Sequence, residues 1–187
     1  MNTLLIFGLG YTGRAIAEAA RAAGFTVAGT SRSGAPGTVP FDAAEAAVRT
    51  ATHVLTTAAP VELPTMSASG SALTTPAFGD TGDPVLARYA AAIGQAPALR
   101  WIGYLSSTVV YGDRDGGWVD EDTPVAPSQD RGRRRVAAED AWSRFADTRA
   151  VDIFRLAGIY GPGRSAFDDL RAGRARRVRK PGHQFGR

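Results

Sequence analysis

Asn2-Thr3-Leu4-Leu5-Ile6-Phe7-Gly8-Leu9-Gly10-Tyr11-Thr12-Gly13-Arg14-Ala15-Ile16 reads as a strand running straight into a glycine turn and a helix. Leu4, Leu5 and Ile6 form the unbroken apolar run of a strand covered on both faces. Ile16, Ala19, Ala20 and Ala23 then keep helical spacing up to Gly24, a helix stop. In this G-x-G-x-x-G spacing Gly8 permits the tight turn, Gly10 lets the backbone approach a pyrophosphate, and Gly13 lets the helix lie close on the strand. The free amides of a helix N-terminus would face the anion. Gly8, Leu9, Gly10, Tyr11, Thr12 and Gly13 are therefore the first expected cofactor-binding positions.

Beyond this unit, strand and helix patterns alternate. Phe25 to Thr30 reads as a second strand, the stretch ending near Phe41-Asp42 as a third, and Ala43 to Thr50 as a helix. His53 to Ala58 reads as a fourth strand. Asp83-Pro84 is an N-cap with proline in the first turn, opening a helix from Val85 to Ile93 that is expected to stop at Gly94. A fifth strand from Trp101 to Ser106, an acidic loop from Asp113 to Pro127, a helix around Arg134 to Phe145 and a sixth strand from Val151 to Leu156 follow. The alternation predicts an α/β fold with a doubly wound parallel sheet in the order 3-2-1-4-5-6, the cofactor lying over the carboxyl ends of the strands. Val61 to Gly82, dense in Ser, Thr, Gly and Pro without periodicity, breaks the rhythm and is read as a mobile loop.

The chain has 187 residues, 44% of them hydrophobic, enough for one core and a single nucleotide-binding domain. Zero cysteines exclude disulfides, thiolate metal ligands and a cysteine nucleophile. Two isolated histidines argue against a metal site. No apolar stretch reaches the roughly 18 to 20 residues of a membrane span, and the start lacks the pattern of a signal peptide, so the expectation is a cytoplasmic protein. The net charge of +4 is uneven: from Asp168 onward six arginines and one lysine face two aspartates. No aromatic residues interleave with the run Arg171 to Lys180, so it reads as a solvated helix end rather than a nucleic-acid contact.

The second strand bears on the choice of cofactor. NAD sites place a carboxylate about 20 residues beyond the glycine turn to hold the ribose hydroxyls. None occurs from Thr26 to Pro40, whereas Thr30, Ser31, Arg32 and Ser33 offer a guanidinium and hydroxyls suited to a 2′-phosphate. NADP is expected in preference to NAD, with Thr30, Ser31, Arg32 and Asp42, at the end of the third strand, among its contacts.

Tyr104-Leu105-Ser106-Ser107-Thr108-Val109-Val110-Tyr111-Gly112-Asp113, Ala58-Ala59-Pro60 and Arg155-Leu156-Ala157-Gly158-Ile159-Tyr160-Gly161-Pro162 extend the pattern over nearly the whole chain. With the glycine turn they resemble the extended short-chain dehydrogenase/reductase superfamily, the NAD-dependent epimerase/dehydratase group. The resemblance implies hydride exchange between a nicotinamide and a small carbonyl or hydroxyl compound or a nucleotide sugar. It implies that Ser107 hydrogen-bonds the substrate oxygen, that Ala58, Ala59 and Pro60 lie along the cofactor, and that the chain forms a homodimer through the helices flanking strand five.

The sequence also departs from that family. Its acid/base pair is a Tyr followed four residues later by a Lys; here Arg131 and Arg135 stand at those positions. Arginine keeps its proton, so Arg131 cannot act as the phenol does, although Arg135 could bind ribose or phosphate oxygens. Tyr111 and Tyr160 are alternative proton donors, but tyrosines in such turns more often serve packing. Phe7 occupies the first glycine of the family's usual G-x-x-G-x-x-G. The chain also reads as C-terminally truncated, with the small substrate lobe largely missing. These losses make a non-enzymatic NADP(H)-binding sensor or partner protein the alternative expectation.

Overall fold

The computed structural model describes residues 1–32, 34–62 and 81–174. Ser33, most of the expected 61–82 loop and the end of the basic segment lie outside the described residues. Along the chain come β1 (Thr3–Phe7), α1 (Tyr11–Ala22), β2 (Thr26–Ser31), β3 (Val39–Pro40), α2 (Glu45–Thr50) and β4 (His53–Thr56). They are followed by α3 (Pro84–Gln95), β5 (Trp101–Ser107), α4 (Asp130–Ser143), β6 (Ala150–Leu156) and α5 (Ala166–Arg171), with 3-10 turns at Phe41–Ala43 and Thr108–Tyr111. The strands form one parallel sheet in the order β3-β2-β1-β4-β5-β6, as the alternation predicts.

The period-2 pleat divides the core. Leu5, Phe7, Val54, Ile102 and Tyr104 face one side, where α2, α3 and α4 supply Val48, Ile93 and Trp142. Leu4, Ile6 and Leu55 face the other, against Ala17 of α1. The stripe that α1 buries is Gly13, Ile16, Ala17 and Ala20; Ala19 and Ala23 of the expected stripe are exposed. The rotation lets Gly13 face the strand.

The end of α3 and the start of α4 are among the helix boundaries that differ from expectation. α3 runs through Gly94 and ends at Gln95, because Ala96 precedes Pro97 and is held extended at φ −70°, ψ 111°. α4 starts at Asp130, four residues before the expected start. Gln129 there is extended, and Asp130 puts a carboxylate in the first turn, where the helix dipole favours it. The ends of the aperiodic segment are joined by the Val61 N–H donating to the Gly82 carbonyl at 2.8 Å. Among the described residues no helix is long and apolar enough to cross a membrane.

Candidate functional site

The glycine turn connects β1 to α1 at the carboxyl edge of the sheet. Gly8 has φ +99°, and a Cβ there would stand 2.5 Å from Thr57 Oγ1. A Cβ on Gly13 would meet the Gly8 carbonyl oxygen at 2.2 Å, so this glycine sets the contact of helix and turn. Gly10 is different: its φ of −78° suits any residue, and an added Cβ meets nothing within 4 Å. Neither conformation nor protein packing calls for glycine at this position. The open space beside Gly10, at the N-terminus of a twelve-residue helix, fits a closely approaching pyrophosphate.

The turn is braced from both neighbouring strands. Thr30 Oγ1 accepts the Gly8 N–H at 3.2 Å, and the Thr30 carbonyl accepts the Leu9 N–H at 2.9 Å. Thr57 donates its hydroxyl to the carbonyls of Phe7 and Gly8 at 3.1 and 2.7 Å. Phe7 is fully buried against Phe41 and Tyr89, and Gly8 makes the turn after it.

A cleft of about 220 Å³ opens over the turn, walled by Gly10 to Gly13, Thr57, Ser106, Leu156 and two cations, Arg135 and Arg164. Arg135 reaches in from α4. Its Nη1 donates to the Tyr104 hydroxyl at 3.0 Å and to the Leu105 carbonyl at 2.7 Å, and its guanidinium lies 5.6 Å from the Tyr104 ring centroid. Arg131, one turn earlier, is exposed and does not line the cleft.

Ser107 ends β5 opposite Leu156 of β6; Leu156 lines both this cleft and a second one of about 580 Å³, whereas Ser107 itself lines neither. The second cleft includes Thr108, Tyr111, Asp120, Glu121, Phe154 and Arg155. Ser107 Oγ accepts the Val109 N–H at 3.4 Å, capping the 3-10 turn, and among the described residues its own proton is not committed to another acceptor. Behind it, the buried Ser106 donates to Glu139, and Glu139 pairs with Arg155 at 2.9 Å. Arg155 donates in turn to the Tyr111 hydroxyl at 3.1 Å, and Tyr111 donates to the Asp120 carbonyl at 2.8 Å. Glu139 first, and Tyr111 second, hold the Arg155 proton more firmly than usual against the opposing effect of burial.

The tyrosines nearby are engaged. Tyr104 is fully buried, which pushes its phenol above the ordinary range, and Tyr11 donates to the Pro162 carbonyl at 3.2 Å. Tyr160, 84% exposed, lines neither cleft.

Of the other expected positions, Arg32 is exposed at the end of β2, Ser31 Oγ is bonded to Thr38 Oγ1 at 2.8 Å, and the Thr30 hydroxyl braces the turn. Asp42 is exposed, and its carbonyl accepts from Arg88 at 3.4 Å. Ala58 to Pro60 follow β4 past the turn, with Thr57 lining the cleft ahead of them. Sequence reasoning missed Arg164 as a cleft residue and the Ser106–Glu139–Arg155–Tyr111 chain. The first could have been sought just after the Gly161-Pro162 turn, whereas the second joins side chains 33 and 16 residues apart with no local signal.

The sheet order, the glycine turn and the cleft above it define a doubly wound, Rossmann-like nucleotide-binding fold of the oxidoreductase/epimerase kind. Its structural neighbours are NAD-dependent epimerase/dehydratase and short-chain dehydrogenase/reductase superfamily proteins. A conserved protein of unknown function from Silicibacter pomeroyi DSS is 40% identical with a TM-score of 0.71, covering 97% of this chain and 61% of that one. A protein provisionally described as an NAD-dependent epimerase/dehydratase, from Methylobacillus flagellatus, is 27% identical with a TM-score of 0.64, covering 87% of this chain and 56% of that one. Protein YeeZ of Escherichia coli strain K12 is 48% identical over 61 residues, which make up 33% of this chain and 22% of YeeZ. This chain thus spans less than two thirds of the length of these relatives. No protein-family model matches it.

Proposed function

We propose that this chain binds NADP(H) in preference to NAD(H) and belongs to an oxidoreductase or epimerase-like enzyme acting on a small carbonyl or hydroxyl compound or a nucleotide sugar. The observation that carries the nucleotide is Gly10, a glycine with open space beside it at the head of α1. The Methylobacillus flagellatus relative is described as NAD-dependent. What favours NADP here is the exposed Arg32 at the end of β2, with no carboxylate from Thr26 to Pro40 to hold ribose hydroxyls.

A bound nicotinamide supplies or accepts the hydride. Ser107, beside Leu156, which lines both clefts, supplies a hydroxyl to orient the substrate oxygen. Arg135, fixed by Tyr104 and Leu105, presents its remaining N–H groups to ribose or phosphate oxygens. A second reading, a non-enzymatic NADP(H)-binding sensor or partner protein, is favoured by the exposed Arg131 where the family has its phenol.

Titration with NADPH and NADH tests the cofactor, and turnover with NADPH against a carbonyl panel separates the two readings. NADPH is expected to bind more tightly, and Arg32→Gln to weaken NADPH roughly ten-fold while sparing NADH. Tighter NADH binding overturns the NADP assignment. Ser107→Ala is expected to lower kcat roughly a hundred-fold on any activity found. Tight binding without turnover supports the sensor.

A further inference from the structure

We propose that Arg164 is a pyrophosphate-binding residue of the nucleotide cleft and that Tyr11 is the residue that positions it. The inference rests on the dinucleotide reading and adds to it a strap contributed by the far end of the chain. Arg164 lies in the turn after β6, some 150 positions from the glycine turn, yet it lines the same cleft as Gly10, Thr12 and Gly13. Three contacts bring it there. The Tyr11 hydroxyl donates to the Pro162 carbonyl at 3.2 Å, the Arg164 guanidinium lies 5.6 Å from the Tyr11 ring centroid, and Gly161 and Arg164 exchange backbone hydrogen bonds of 3.1 and 2.9 Å. Gly161 has no room for a side chain, since its Cβ would stand 2.2 Å from the Tyr11 hydroxyl. The close approach of turn and ring therefore depends on that glycine.

The charge of the cleft points to what Arg164 meets. A pyrophosphate carries two negative charges, against which the α1 N-terminus sets only about half a positive charge. Among the described residues lining the cleft the full cations are Arg135 and Arg164. Arg135 already gives Nη1 to Tyr104 and Leu105. Arg164 rests on a ring face, a contact that leaves its N–H donors free for phosphate oxygens. Tyr11 sits in the fingerprint itself, so the residue that opens α1 also anchors the strap across it.

The full chain is titrated with NADPH and with NADH, at low and at high salt, following nicotinamide fluorescence. Arg164→Gln is expected to raise both dissociation constants about ten-fold, and equally, because both cofactors carry the pyrophosphate. It should also flatten the salt dependence, which Arg164→Lys should restore. Tyr11→Phe, which keeps the ring and removes the hydroxyl, is expected to raise both about three-fold through faster dissociation, with an unchanged far-ultraviolet circular dichroism spectrum. Wild type that binds, with Arg164→Gln unaltered, overturns this inference and leaves the dinucleotide reading standing. A loss confined to NADPH also overturns it, since Arg164 would then read the 2′-phosphate. Wild type that binds neither cofactor overturns both.

Discussion

Asp83 is 1% exposed, yet its carboxylate is surrounded by donors: the Val85 and Leu86 N–H groups at 2.8 and 3.0 Å and the Trp142 indole N–H at 3.0 Å. It caps α3 and ties α3 to α4, two helices that pack on the same face of the sheet. Asp83→Ala loses a cap worth about 1 kcal/mol and leaves a buried indole N–H unpaired at about 1–3 kcal/mol. Urea unfolding should show a loss of roughly 3 kcal/mol. Burial raises the pKa of Asp83 above its ordinary 3.8, more than its donors and Arg135 lower it. The folded state therefore holds this proton to higher pH than the unfolded chain, and its contribution to stability falls as pH rises from 3.8 through the folded value. Asp83→Asn lacks that slope, so the stability of wild type relative to Asp83→Asn should decrease across the window. A constant difference would mean that Asp83 holds its proton equally in the folded and unfolded states. The cap was legible in Asp83-Pro84; the indole was not, lying 59 residues away on another helix.

At the scale of the element, β1 and α1 were legible because the turn between them is local and each glycine has a separate job. Those jobs can be told apart by adding one methyl group. Gly13→Ala drives a Cβ to 2.2 Å from a backbone carbonyl that cannot swing away, and it should destabilise the fold by about 3 kcal/mol. Gly10→Ala meets no atom within 4 Å and suits the backbone, so stability should stay within about 0.5 kcal/mol while NADPH affinity falls at least ten-fold. Equal affinity in wild type and Gly10→Ala would make the turn a purely structural connection. α4 was less legible. Asp130-Arg131-Gly132-Arg133-Arg134-Arg135 has no apolar periodicity, and its start follows from tertiary packing, with Gly132 so close to Pro127 that a Cβ there would stand 2.7 Å away.

Over the whole molecule, the sheet order was legible because strand and helix patterns alternate and crossover handedness leaves few topologies. The cleft was legible only in part. Its walls come from the β1–α1 turn, the end of β4, the end of β5, α4 and the turn after β6, and parallel register brings these distant segments to one edge. Arg135 could be named from the family spacing; the motif ending at Pro162 pointed to the neighbourhood of Arg164, but only the path of the chain after β6 returns that residue to Tyr11. A ligand seated there would touch segments from residue 10 to residue 164, so its binding should stabilise the fold as a unit. At NADPH one hundred times its dissociation constant the linkage amounts to about 2.7 kcal/mol, a rise in Tm of roughly 5–10 °C for a chain of this size. Thermal denaturation should show that rise in wild type. Gly10→Ala, binding NADPH about ten-fold more weakly, should reduce the linkage to about 1.4 kcal/mol at the same NADPH concentration and so about halve the rise, while keeping the wild-type Tm without cofactor. A rise undiminished in Gly10→Ala would place the stabilising contact away from the glycine turn, and the assignment of the cleft with it.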